Sequence, residues 1–205
     1  MQVISAQDRK RISRAISDAE EKSSGEIVAV VAASSDDYVF IPLLWAALAA
    51  LAVPLILFPL TDLHVAAIYA VQLVVFAVLG LLSQWRSLRI ALVPRRVKRA
   101  RAHRHAMAQF LAQDLHTTKN RTGVLIFVSM AERFAEVIAD EGIYEKVPPE
   151  TWDGVVQELT ERIGDDRIAE GFVVATQMCA DILAEHFPPG AAEDNELPDH
   201  LIVLE

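Results

Sequence analysis

At 205 residues the chain can hold one medium-sized domain, or a smaller domain with added elements. Hydrophobic residues make up 53% and mean hydropathy is +0.28, too apolar for an ordinary cytosolic enzyme and too polar for a polytopic transporter. The net charge of −9 is uneven: residues 86–121 hold ten Lys/Arg and one acid, whereas residues 122–205 hold four Lys/Arg and nineteen acids, so a basic belt and an acidic remainder need separate explanations.

The first segment is polar and helical in pattern. It has no apolar stretch of the signal-peptide kind. Ser5-Ala6-Gln7-Asp8 reads as a capping-box-like start, and Ile12, Ala15, Ile16 and Ala19 recur at helical spacing on one face. Ser23-Ser24-Gly25 stops this helix. "EIVAVVAA" (Glu26–Ala33) follows as a strand that is apolar on both faces, the mark of a central position. Ser34-Ser35-Asp36-Asp37 forms its exit loop.

Two uncharged stretches come next, residues 41–60 and 64–82, separated by Thr61, Asp62 and Leu63. At about 1.5 Å per residue each reaches about 30 Å, the thickness of a bilayer's hydrocarbon. So short a link makes them a helical hairpin. The alternative is a pair of buried core helices, but the chain has too little remaining mass to cover two helices that are apolar all round. Pro42, Pro54 and Pro59 are compatible with membrane helices, with Pro54 a candidate kink. The flanks orient the hairpin. Arg86, Arg89, Arg95, Arg96, Lys98, Arg99, Arg101 and Arg104 follow the second stretch, while the hairpin tip offers only Asp62. The positive-inside rule therefore expects two spans in the inner (cytoplasmic) membrane with both termini cytoplasmic, and Trp45 and Trp85 as anchors near that face. Beside a span, Arg95, Arg96, Lys98, Arg99 and Arg101 are expected to meet anionic lipid headgroups. Nucleic acid is not expected, since no recognition motif or aromatic platform accompanies the charges.

Beyond the belt, Ala102, Ala106, Phe110 and Leu115 trace an amphipathic helix ending near residues 117–120. "TGVLIFVSM" (Thr122–Met130) is a second buried strand, and Arg133–Asp140 a third that pairs with it as an antiparallel hairpin. Two helices follow: one after Pro148-Pro149 with Trp152, Val155, Val156, Leu159 and Ile163 inward, the other from about Arg167 to His186 with Ile168, Phe172, Ala175, Cys179 and Ile182 inward. Asp165-Asp166 is expected to cap the latter. The stretch 188–205 reads as a loose acidic tail, with "HLIVLE" a candidate edge strand. The first strand needs the later two as neighbours, so the hairpin is an insertion within one domain. The expected division is 1–40 and 102–187 for the two parts of the domain, 41–83 for the hairpin, 84–101 for the basic segment and 188–205 for the tail.

The stretches "ISRAISDAEEKSSGEIVAVVAASSDDY", "RTGVLIFVSMAERFAEVIADEGIYEKV" and "IAEGFVVATQMCADIL" together resemble the TPM domain family, in a membrane-anchored, bacterial-type form. The resemblance covers residues 4–40 and 100–186. It implies an α/β fold, a small mixed sheet sandwiched by helices, here with a transmembrane hairpin after the first strand. It also implies one of two functions: a phosphatase that binds Ca²⁺-type ions through acidic loops, or an accessory or assembly factor for membrane complexes. Family members often have Asp-Asn-Gly before the second strand, where this chain has Arg121-Thr122-Gly123. The "GyGLE" turn becomes Asp140-Glu141-Gly142-Ile143-Tyr144. Both differences remove an acid from the family pattern.

The best candidate for chemistry is Asp36, Asp37, Asp140 and Glu141, carboxylates suited to Ca²⁺ or Mg²⁺ if their loops meet at one end of the sheet. An antiparallel third strand would instead place Asp140 at the opposite end from Asp36, leaving turn acids with local roles. Cys179 sits on an apolar helix face without a partner base, as a packed thiol does. The expected function is an accessory factor docking on a membrane-protein complex, or self-associating, at the cytoplasmic face. A divalent-cation-dependent phosphatase is the alternative, and a lipid-surface sensor working through the belt a third reading.

Overall fold

The computed structural model describes residues 4–189, 197 and 200–204. It divides the chain into two units, residues 1–35 with 99–205, and residues 36–98. The second unit is thus inserted in the sequence of the first.

In the first unit, helix α1 (Ala6–Glu20) leads into strand β1 (Glu26–Ala32). Ser5 caps α1: its hydroxyl oxygen accepts from the Asp8 N–H at 3.1 Å. In the inserted unit lie α2 (Phe40–Leu60), α3 (Val65–Leu82) and the short α4 (Arg86–Ala91). Helix α5 (Arg95–Ala112) returns to the first unit, followed by β2 (Gly123–Ser129), β3 (Phe134–Ala139), the single turn α6 (Glu141–Tyr144), α7 (Thr151–Gly164), α8 (Ile168–His186) and β4 (Ile202–Leu204).

The sheet order is β3-β2-β1-β4. β1 runs parallel to β2, from Glu26 opposite Gly123 to Ala32 opposite Ser129. β3 is antiparallel to β2, and β4 adds to the other side of β1 in parallel, with Val30 opposite Ile202. The last third of the tail stretch, "HLIVLE", therefore does supply an edge strand, Ile202–Leu204; residues 190–196, 198, 199 and 205 of the expected tail lie outside the described residues.

Side-chain alternation explains the sandwich. Ile27, Ala29, Val31, Val124, Ile126 and Val128 face α1, α7 and α8 and build the larger core with Ile16, Leu159, Phe172 and Leu183. Val28, Val30, Ala32, Leu125 and Phe127 face the other way, onto Ala106 and Phe110 of α5 and onto Leu115. Both faces are covered, so the two central strands carry no polar alternation, and each fully buried large aliphatic side chain contributes about 1.5–3 kcal/mol against the entropy of ordering it. The expected α/β sandwich around a small mixed sheet is what forms.

Three local expectations need correction. Helix α5 stops at Ala112, because Asp114 turns into the left-handed region (φ 56°) and a 3-10 turn, Leu115–Thr117, tucks Leu115 into the core. β3 is shorter than expected, since Arg133 is left-handed (φ 51°) and Asp140 caps α6 instead of continuing the strand. Asp165 and Asp166 do not cap α8: Arg167 holds the cap position without a side-chain cap bond, and Asp165 pairs with the Arg167 guanidinium at 2.9 Å. That bond, with Glu170 beside it, raises the Arg167 pKa further.

In the inserted unit, α2 and α3 lie against each other and are joined by residues 61–64. Both are long and apolar enough to cross a membrane, and only 17% and 6% of their apolar windows is buried. The core helix of a soluble protein is mostly buried, so these two helices suggest membrane association. Pro54 and Pro59 sit inside α2, where each removes one backbone N–H.

Candidate functional site

Two polar clusters mark the two ends of the central strands in the first unit. At the end where β1 and β2 begin, the Asp140 N–H donates to the Gly123 carbonyl at 2.9 Å, which fixes Asp140 beside the start of β2. Its side chain is only 5% exposed. Oδ1 accepts from the Glu141 N–H at 2.7 Å, capping α6. Arg121 Nε lies 2.9 Å from Oδ2, and Arg121 Nη2 lies 3.4 Å from Glu141 Oε2. Oδ2 is buried and receives no directed hydrogen bond, so the Nε contact is charge pairing rather than a well-aimed N–H···O bond. Gly142 is required here: a Cβ on it would stand 2.5 Å from the Asn120 carbonyl oxygen and 2.8 Å from that of Arg121.

At the other end, where β1 and β2 finish, Glu132 is a buried acid at 8% exposure. Oε1 accepts from the Ser34 hydroxyl at 3.2 Å and from the Ser35 N–H at 3.1 Å. Oε2 accepts a short hydrogen bond from the Ser129 hydroxyl, and the Ser35 and Ser129 hydroxyl oxygens are 2.7 Å apart. Ser129 has one proton, given to the carboxylate, so Ser35 donates to Ser129. The Ser129 oxygen is thereby committed in both directions, which makes it a clamp on the exit of β1 rather than a free nucleophile. A cavity of about 390 Å³ lies alongside, lined by Ser129, Arg133, Phe134, Thr160 and Ile163 among others.

The four acids singled out from the sequence fall into two local settings. Asp140 and Glu141 belong to the starting end of the sheet. Asp36 and Asp37 follow Ser35, which leaves the finishing end, and the seven residues of β1 hold those ends about 20 Å apart. The antiparallel pairing of β3 is the cause. Asp36 Oδ1 accepts from the Tyr38 N–H at 3.1 Å, a local turn bond, and the Asp37 carbonyl accepts from Arg89 at 3.2 Å. Among the described residues no group of three or more His, Cys, Asp or Glu is arranged to hold a metal ion. The Asp36 carboxylate is thus engaged in a turn, Asp37 contributes its backbone carbonyl, and Asp140 and Glu141 are paired with Arg121.

Of the basic residues, Arg95, Arg96, Arg99 and Arg101 are exposed along α5, and Lys98 is half-buried. His103, on the same helix, reaches β3: its Nδ1 is 2.9 Å from Glu136 Oε2. Cys179 is fully buried, and burial pushes its thiol up to about 12, as expected for a packed side chain. The Glu132 cluster was missed from sequence, although its signal is present: a serine ending an otherwise apolar strand, with a glutamate three residues on.

Comparison with known proteins agrees with this architecture. Residues 84–182 match the family model described as the TPM domain. A comparison with curated proteins gives no match. Among solved structures, the NMR structure of BA42 protein from the psychrophilic bacterium Bizionia argentinensis is similar with a TM-score of 0.61 at 18% identity, covering 98% of this chain and 94% of that one. At that identity the likeness is one of fold. The family match begins after α3, yet α1 and β1, which precede the apolar pair, belong to the same sheet sandwich.

Proposed function

Given that the chain carries a TPM domain, we propose that it is a membrane-anchored accessory protein, whose domain is held at the cytoplasmic face by a two-span hairpin and docks on a membrane-protein complex there. The observation that carries this reading is one-sided charge. Two exposed apolar helices are linked by a tip holding only Asp62, and are followed by ten Lys/Arg within residues 86–121. A hairpin returns the chain to the side it left, and cytoplasmic loops are the ones rich in Lys and Arg. The exposed Arg95, Arg96, Arg99 and Arg101 with Lys98 then lie at headgroup height, where each cation contributes about 1 kcal/mol of attraction to an anionic leaflet. The engagement of Asp36 in a turn and of Asp140 with Arg121 favours the accessory role over cation-dependent phosphoester hydrolysis.

Topology is the decisive test. A cysteine at Asp62, in a Cys179→Ala background, should react with a membrane-impermeant maleimide in intact cells, whereas one at Glu185 should react only after lysis. The reverse pattern would refute the orientation, and labelling of neither in cells with both labelled in a soluble fraction would refute the anchor. Turnover of p-nitrophenyl phosphate that needs Mg²⁺ or Ca²⁺ and disappears in Asp140→Asn would replace the accessory role with the phosphatase.

A further inference from the structure

We propose that the Arg121 guanidinium is the resident cation of the Asp140–Glu141 turn, occupying the position a divalent ion would need, so that this end of the domain folds without Ca²⁺ or Mg²⁺. The starting point is electrostatic. Asp140 is 5% exposed, and a carboxylate removed from water requires a counter-charge. Its Oδ1 is satisfied by the Glu141 N–H, but Oδ2 is buried with no directed donor and is held by the charge of Nε at 2.9 Å. Glu141 extends the same arrangement, with Oε2 at 3.4 Å from Nη2. The backbone carbonyls of Asn120 and Arg121 crowd Gly142 on the same turn, closely enough to forbid a Cβ. Carboxylate oxygens are the ligands that hard cations use, and here two of them face one guanidinium.

An ion and the guanidinium exclude one another there. Ca²⁺ binds oxygen at about 2.3–2.6 Å, so an ion on Oδ2 would sit against a permanent positive charge already 2.9 Å from that oxygen. Arginine cannot escape by losing its proton. Nor is its side chain rooted on a loose segment. Arg121 is held in the left-handed region (φ 56°), and its N–H donates to the Thr118 carbonyl at 3.0 Å. A backbone conformation that costs energy for a non-glycine residue persists because the surroundings fix it.

The test uses the full chain in detergent, with Ca²⁺ as the probe, in wild type, Arg121→Asn and the double variant Arg121→Asn/Asp140→Asn. Asparagine tolerates the left-handed backbone, so the first substitution removes the charge without adding strain. Calorimetric titration of wild type should give no Ca²⁺ binding, and its Tm should be the same in chelator and in millimolar Ca²⁺. Arg121→Asn should lose several degrees of Tm in chelator and regain part of them in millimolar Ca²⁺, with saturable binding; the double variant should show neither response. Ca²⁺ binding by wild type that Asp140→Asn abolishes would overturn the proposal. So would an Arg121→Asn protein that binds no Ca²⁺ and whose stability ignores it, since Arg121 would then be an ordinary ion-pair partner. Neither readout depends on membrane orientation, so this proposal and the accessory role fail separately.

Discussion

Replacing Glu132 by alanine tests whether the clamp at the finishing end of β1 holds the domain together. The carboxylate accepts from the Ser34 hydroxyl, the Ser35 N–H and the Ser129 hydroxyl. Charge-assisted bonds of this kind are worth about 1.5–3 kcal/mol each when one partner is removed. The three losses do not add. Ser34 and Ser35 are half-buried, so their donors recover water, whereas Ser129 is fully buried. The Ser129 hydroxyl retains one alternative, rotating to donate to the Ser35 oxygen 2.7 Å away. The expected cost of Glu132→Ala is therefore about 2–3 kcal/mol, and that of Glu132→Gln, which keeps one carbonyl oxygen but turns an amide toward a donor, about 1 kcal/mol. Urea unfolding of the detergent-solubilised chain reads this out, with Trp45 and Trp85 replaced by phenylalanine so that fluorescence comes from the buried Trp152. The midpoint should fall at constant m-value. In a cycle with Ser129→Ala the two substitutions should be less than additive. A Glu132→Ala protein within about 0.5 kcal/mol of wild type would refute the clamp, because that is the range of surface changes that touch nothing.

Two further outcomes follow from packing. Gly142→Ala places a methyl group 2.5 Å from the Asn120 carbonyl oxygen, backbone that cannot swing aside, so it should destabilise the domain by about 1–3 kcal/mol, seen in the same urea titration. Cys179 should resist alkylation by iodoacetamide in the folded protein at pH 8 and react once urea unfolds it. The pH dependence has a definite sign: the folded thiol keeps its proton up to about 12, against an ordinary 9.0. The native state therefore binds more protons than the unfolded chain across that window. Stability from this group is fully present below pH 9.0 and falls as pH rises toward 12; Cys179→Ala should lessen that alkaline loss.

The elements that were legible in the sequence are those with a clean period. The apolar runs Ile27–Ala32 and Val124–Val128 announced burial on both faces of β1 and β2, and Ile12, Ile16 and Ala19 announced one face of α1. The element boundaries that failed did so where a single residue changed hand: Asp114 ended α5 and Arg133 shortened β3 by adopting positive φ, which hydropathy does not encode. The candidate acids divide between strand ends for a topological reason. Asp36 and Asp140 are each acids at a strand exit, and only the antiparallel pairing of β3 decides that those exits point apart. Glu132 escaped notice because its partners Ser34 and Ser35 lie nearly a hundred residues earlier, at |i−j| of 98 and 97.

The strand order also sets a timetable for synthesis. β1 is complete long before its neighbours exist: Glu26 waits for Gly123, and Val30 waits for Ile202. At about 5–20 residues per second, the first of these delays is several seconds or longer. During that interval α2 and α3 leave the ribosome ahead of any strand that could shield β1. An exposed strand that is apolar from Ile27 to Ala32 is sticky, so the nascent chain passes through a period in which the greasy helices have already emerged while the sheet remains a single unpaired ribbon. Slowing elongation between residues 35 and 123 should lower the yield of folded protein, whereas slowing it after residue 139, once β2 and β3 have been made, should matter much less.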